Sequence, residues 1–139
     1  MSLVPAGPID HVGIAVHDLD QARATYASIL GAELSGYEVV EQQGVQVAFM
    51  TLPGNTRVEL IAPIEDSGAV ARFLDKHGEG MHHICVVVED IEATLDVLNE
   101  AGVHLVDRSP RPGAEGSRIA FVSPDVLGGV LLELKQKPY

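Results

Sequence analysis

Residues Asp10–Ala22 read DHVGIAVHDLDQA, and residues His82–Thr94 read HHICVVVEDIEAT. At an offset of 72, His11 falls on His83, Ile14 on Val86, Val16 on Val88, Asp18 on Asp90 and Leu19 on Ile91. The same offset of 72 places VAFMT (Val47–Thr51) on IAFVS (Ile119–Ser123). VELIAP (Val58–Pro63) resembles LELKQK (Leu132–Lys137), with Glu59 on Glu133 at an offset of 74. A near-constant period across most of a chain marks internal duplication, and it decides the fold before any single element is read.

Each copy has one pattern. A strand opens with His, a helix follows, and further strands end on one that carries Glu. The first strands are apolar and β-branched, as buried strands are. After Asp18, residues Leu19, Ala22, Tyr26, Ile29 and Leu30 share one helical face, and Gly31 supplies the stop. After Asp90, Ile91, Leu95 and Leu98 do the same, with Gly102 as the stop. Asp18 and Asp90 suit N-caps. A third helix, Ala69–His77, buries Val70, Phe73 and Leu74 and connects the copies. Asp107–Arg118 (DRSPRPGAEGSR) reads as a loop. The predicted class is α+β: two βαβββ modules joined into one curved, cup-forming mixed sheet with helices on the outer face. Module one spans about 9–63, the connecting helix about 66–78 and module two about 81–135, within a single domain 9–139 behind a loose lead-in, 1–8.

Composition narrows the function. Twenty acidic against nine basic side chains, a net charge of −11, exclude a nucleic-acid binder, which needs a basic surface. A local basic patch for an anionic small molecule stays open. There is no apolar stretch long enough to span a bilayer, and MSLVPAGP is no signal peptide, so no membrane partner is expected. The single cysteine, Cys85, cannot form an internal disulfide, which points to a reducing, cytoplasmic setting and a buried thiol.

Strand alternation places the histidines. Val12, Ile14 and Val16 face the helices, so His11, Gly13 and Ala15 face the cup. Ile84, Val86 and Val88 likewise leave His83, Cys85 and Val87 facing it. Glu59 opposes Val58 and Leu60, and Glu133 opposes Leu132 and Leu134. Two imidazoles and two carboxylates therefore share the concave face. Burying carboxylates unpaired costs on the order of several kcal/mol each, and a divalent cation removes that cost. The mixed N/O set suits Mn, Co, Ni, Fe or Zn better than Ca. Taken singly, each residue has a plainer reading: a hydrogen-bonded strand histidine, or a glutamate paired with Arg57. His82 alternates away from His83 and faces a helix or the surroundings of the site. His17, His77 and His104 read as surface residues. The PGAEGS loop is a mobile lid or a backbone cradle for phosphate.

The stretches DHVGIAVHDLDQA, GNTRVELIAP, FLDKHGEGMHHI, RPGAEGSRIAF and GGVLLEL together resemble the methylmalonyl-CoA epimerases of the vicinal oxygen chelate, or glyoxalase-like, superfamily, from about Ile9 to Leu134. The resemblance implies His11, Glu59, His83 and Glu133 as ligands of one divalent ion (Co, Mn, Ni, Zn or Mg). It implies methylmalonyl-CoA as substrate, interconverted between its (2R) and (2S) forms by proton abstraction at C2 through a metal-stabilised enolate. Two acid/base groups on opposite faces of C2 do this most simply. Glu133 is the first choice and Glu59 the second, with Glu41 and Glu115 as outlying candidates. Val47, beside Gln46, stands where some relatives carry a glutamate base. Arg72, Lys76, Arg108, Arg111 and Arg118 are available for the CoA tail. A homodimer is expected by analogy. The alternatives are a glyoxalase-like isomerase, an extradiol dioxygenase, or a non-catalytic binding or resistance protein on the same scaffold.

Overall fold

The computed structural model describes residues 2–138. The chain divides into two compact units: His11–His82, and a second made of the stretch through Asp10 together with the chain from His83 onward. The first is built from β1 (Ile9–Ala15), α1 (Leu19–Leu30), β2 (Glu33–Val40), β3 (Val45–Leu52), β4 (Thr56–Pro63) and α2 (Ala69–His77). The second is built from β5 (Gly80–Val87), α3 (Ile91–Glu100), β6 (Arg111–Pro112), β7 (Arg118–Val122) and β8 (Leu132–Gln136). Strand order is β2-β3-β4-β1 in one and β5-β8-β7-β6 in the other. In each, the His-bearing strand runs parallel to the Glu-bearing strand, and the remaining pairs are antiparallel. Two βαβββ modules with mixed sheets are the α+β class read from the repeat.

The helices start where their caps predict. Asp18 accepts from the Gln21 N–H at 3.0 Å and Asp90 from the Ala93 N–H at 3.1 Å. Each such cap contributes about 1 kcal/mol. Gly31 ends α1 in the left-handed region at φ 68°. Ile91, Leu95 and Leu98 pack with Ala120, Val122 and Leu134 in one core. Each large apolar side chain buried this way stabilises by roughly 1.5–3 kcal/mol. In the other core, Leu19, Ala22 and Tyr26 of α1 pack with Ala48, Met50, Leu60 and Ala62. Ile29 and Leu30, read as part of the same stripe, are exposed, because only the first turns of α1 reach that core.

Two further departures come from the second unit. The counterpart of the eight-residue β2 is the two-residue β6, because Pro110 and Pro112 withhold the N–H groups that a longer ladder requires. The stretch ahead of β1, read as a loose lead-in, is tied to β5: the Gly7 N–H donates to Val87 O at 2.8 Å and the Val87 N–H to Pro8 O at 3.1 Å. Val4 packs against the α3 core. Met1 lies outside the described residues.

Candidate functional site

The register explains both offsets. Glu59 stands opposite Gly13 of β1 and Phe49 of β3. Glu133 stands opposite Cys85 of β5 and Phe121 of β7. These are equivalent positions. The offset rises from 72 to 74 because the hairpin joining β7 to β8 is two residues longer than the one joining β3 to β4. The extra length lies in a turn, Pro124–Leu127, that ends on Gly128 at φ 69°.

Because Ala48, Met50, Leu60 and Ala62 face α1, Val47, Phe49, Glu59 and Ile61 lie on the opposite face of their strands. His11 is on that face too. His11 and Glu59 are 2% and 5% exposed, and His11 Nε2 lies 3.6 Å from Glu59 Oε1. In the other unit, His83 and Glu133 are 4% and 7% exposed, and His83 Nε2 lies 3.1 Å from Glu133 Oε1. Each imidazole meets a phenylalanine edge-on. His11 and Phe49 have ring centroids 5.4 Å apart at 74°, and His83 and Phe121 are 5.8 Å apart at 87°. Such contacts, worth roughly 0.5–1.5 kcal/mol, fix the plane of the ring and so the direction of Nε2.

The donor chemistry accommodates a metal. Nitrogen and oxygen ligands sit roughly 2.0–2.2 Å from a divalent ion, so neighbours at octahedral or tetrahedral angles are about 3.0–3.5 Å apart. Both His–Glu pairs have about that spacing. Each could hold a divalent metal as one nitrogen and one oxygen donor.

His82 packs edge-on against Phe73 of α2, with centroids 4.9 Å apart. The His77 ring lies tilted at 40° to Phe73, with centroids 4.9 Å apart, and His77 is exposed. His104 is exposed and lies 3.1 Å from Asp125. The Ser123 hydroxyl and His104 hold the Asp125 carboxyl below its ordinary range. Val47 is buried and apolar, opposite Glu38 in β2. Neighbouring Gln46 accepts from the Tyr37 hydroxyl at 3.0 Å. Glu41 is exposed in the turn before β3. Glu115 is engaged by Lys135 Nζ at 2.9 Å. Of the basic residues, Arg118 lies 2.5 Å from Glu92 and Arg111 3.3 Å from Asp107, while Arg72, Lys76 and Arg108 are exposed. Cys85 is fully buried; burial first, then the charges of Glu133 and Asp10, push its thiol pKa far up.

Sequence reasoning missed three features. Phe49 and Phe121 were visible as the shared aromatic of VAFMT and IAFVS. Arg57 lies with its Cζ 4.1 Å over the Phe49 ring, and Arg111, from the non-equivalent strand β6, lies 5.7 Å over Phe121. Lys135 is buried two residues beyond Glu133, where strand alternation puts it on the face of that glutamate.

The chain belongs to the glyoxalase/bleomycin resistance protein/dioxygenase superfamily, whose family profile matches residues 10–121. The fold agrees: the paired mixed sheets are those of solved structures in the superfamily. Its relatives within the superfamily include methylmalonyl-CoA epimerases, which are isomerases. It is 43% identical over 132 residues to the ethylmalonyl-CoA/methylmalonyl-CoA epimerase of Cereibacter sphaeroides, covering 94% of this chain and 98% of that protein. The crystal structure of methylmalonyl-CoA epimerase from Mycobacterium tuberculosis matches with a TM-score of 0.92 at 38% identity, over 100% of this chain and 93% of that one. A methylmalonyl-CoA epimerase in complex with methylmalonyl-CoA and NH4+ matches with a TM-score of 0.90 at 37% identity, over 96% of each chain. No helix among the described residues is long and apolar enough to cross a membrane.

Proposed function

We propose that this chain is a metal-dependent epimerase that interconverts (2R)- and (2S)-methylmalonyl-CoA. The observation that carries the reading is the repeated buried pair, His11 with Glu59 and His83 with Glu133, at equivalent register positions. It occurs in a chain 37% identical to an epimerase solved with methylmalonyl-CoA. In this reading the four side chains hold one divalent ion of the Co, Mn, Ni, Zn or Mg group. The chemistry such an ion supplies is charge neutralisation at the thioester oxygen as C2 loses its proton.

The residues do the rest. Epimerisation needs a proton removed from one face of C2 and returned to the other, so two carriers are required. Glu133 and Glu59 are assigned that work. Gly13 stands opposite Glu59 and brings no side chain to that face. Val47 carries no proton, so the second carrier comes from elsewhere on the face. The enzyme works as a homodimer in the cytoplasm, where Cys85 stays reduced.

Metal content of the purified protein, followed by solvent deuterium uptake at C2 of methylmalonyl-CoA, tests the reading. Uptake with metal that disappears on chelation is expected. Uptake indifferent to chelation refutes the role of the ion, and no uptake in either state refutes the epimerase. Glu133→Gln and Glu59→Gln, assayed with metal occupancy measured, each lose turnover. Full turnover in both removes these residues as proton carriers.

A further inference from the structure

We propose that Glu115 is a positioning residue: latched onto the buried Lys135, it holds the turn over residues 113–117 as a fixed wall beside Glu133. The inference rests on the epimerase reading above and deepens it by assigning the residue that shapes the surroundings of that proton carrier. Ala120, Val122 and Leu134 face α3, so Ile119, Phe121, Glu133 and Lys135 lie on the opposite face of β7 and β8. Ile119 stands opposite Lys135, and Phe121 opposite Glu133. The turn lies on that same face. A Cβ added at Gly113 would stand 2.6 Å from Ile119 Cγ2, and the Lys135 ammonium donates to Glu115 Oε1 at 2.9 Å. The row of side chains that the turn covers is the next one along from Phe121 and Glu133, two residues or roughly 7 Å away. The PGAEGS stretch, which by sequence suits a mobile lid, is pinned to the sheet at this point.

Three observations give Glu115 this work. It stands in the left-handed region at φ 61° and ψ 31°, where a residue with a Cβ is strained and glycine is not. Backbone strain that a side-chain contact holds in place points to a use for that side chain. Next, the two ends of the turn are joined without Glu115. The Ser117 hydroxyl donates to Ala114 O at 2.6 Å, and the Gly113 N–H to Ser117 O at 3.0 Å. The ion pair therefore sets how the tip sits on β8, rather than whether the turn forms. Finally, Lys135 keeps a second and more buried carboxylate, Asp10, at 3.2 Å. Loss of Glu115 leaves the ammonium paired, so the fold does not depend on the latch. What depends on it is the placement of the wall against which an acyl group is oriented at Glu133. A misplacement of about 1 Å can slow a reaction roughly 100-fold.

The test compares metal-loaded wild type with Glu115→Gly and Glu115→Gln. Glycine relieves the backbone and removes the latch. Glutamine keeps the side-chain length and an oxygen that accepts from Lys135. Amide hydrogen exchange of the peptide spanning 113–117, thermal unfolding, and kcat and KM for methylmalonyl-CoA are measured on each. Glu115→Gly is expected to exchange the amides of the turn roughly 10-fold faster and to shift Tm by less than about 5 °C. Its kcat falls roughly 10-fold while KM changes less than about threefold. Glu115→Gln recovers most of the kcat and the slow exchange. If Glu115→Gly does not fold, Glu115→Asn takes its place, since asparagine tolerates the left-handed region and is too short for Lys135. An unchanged kcat in the glycine variant overturns the proposal, whatever its exchange. Equal losses of kcat in both variants with unchanged exchange assign the carboxylate itself to the chemistry and overturn the positioning role. A wild type that exchanges no hydrogen at C2 overturns the epimerase reading and this inference together. Exchange at C2 in the wild type with equal kcat in Glu115→Gly overturns the role of Glu115 alone.

Discussion

Replacing Lys135 by Met should destabilise the protein by about 3 kcal/mol, at the low end of the range for breaking a buried ion pair. The Lys135 side chain is 4% exposed, and Nζ lies 3.2 Å from Asp10 Oδ2 and 2.9 Å from Glu115 Oε1. Methionine fills much of the same volume, so the loss is electrostatic rather than a cavity. The two acidic partners respond differently. Glu115 is 42% exposed at its side chain and can turn to water, but Asp10 is 5% exposed and keeps its charge under cover. Lys137, 3.6 Å from the other Asp10 oxygen and 53% exposed, offsets part of that, which places the expected cost at the low end. For a chain of this length, about 3 kcal/mol corresponds to a fall in Tm of roughly 10 °C. Urea and thermal unfolding should be run in chelator, so that metal binding does not move the baseline.

The decisive variant is the double substitution, Lys135→Met with Asp10→Asn. It removes the stranded charge, so it should be more stable than Lys135→Met alone. A single variant that loses less than 1 kcal/mol, or a double variant whose loss equals the sum of the two single losses, would refute the reasoning. The pH dependence follows the same pair. Burial disfavours the Lys135 ammonium, but the hydrogen bond to Glu115 and the charge of Asp10 outweigh it and hold its pKa above the ordinary lysine value. The stability it contributes is therefore fully present below the unfolded-chain value of about 10.4. It is lost as pH rises through the higher folded value, so the difference between wild type and Lys135→Met should narrow only in strong alkali.

Gly113→Ala should destabilise by roughly 1–3 kcal/mol in urea melts, because the added Cβ would stand 2.6 Å from Ile119 Cγ2 and 2.9 Å from Ser117 Oγ; a neutral result would mean the loop relaxes freely. Cys85 should resist thiol reagents in the native state and react only in denaturant, since burial and the nearby Glu133 and Asp10 charges hold it as an undissociated thiol; rapid native labelling would contradict that burial. Asp18→Ala and Asp90→Ala should each cost about 1 kcal/mol, and the two losses should add, because each carboxylate caps a different helix.

The repeat alone made most of the architecture legible. Strand alternation and helical periodicity are local consequences of backbone geometry, so Asp18, Asp90, Gly31 and the faces of His11, Glu59, His83 and Glu133 could be read without coordinates. Ile29 and Leu30 could not, because an apolar stripe shows which side of a helix is sticky but not how far its neighbours extend. Nor could β6, where two prolines cut short a strand that the first copy carries at full length. What only the tertiary structure decided is register and reach: that Phe49 and Phe121 lie opposite the two glutamates, that Arg57 settles on the Phe49 ring, and that Lys135 finds Glu115 and Asp10 across 20 and 125 residues of chain. Those contacts depend on hairpin lengths and on which strands become neighbours, and long, flexible side chains carry no periodic signal of where their ends will come to rest.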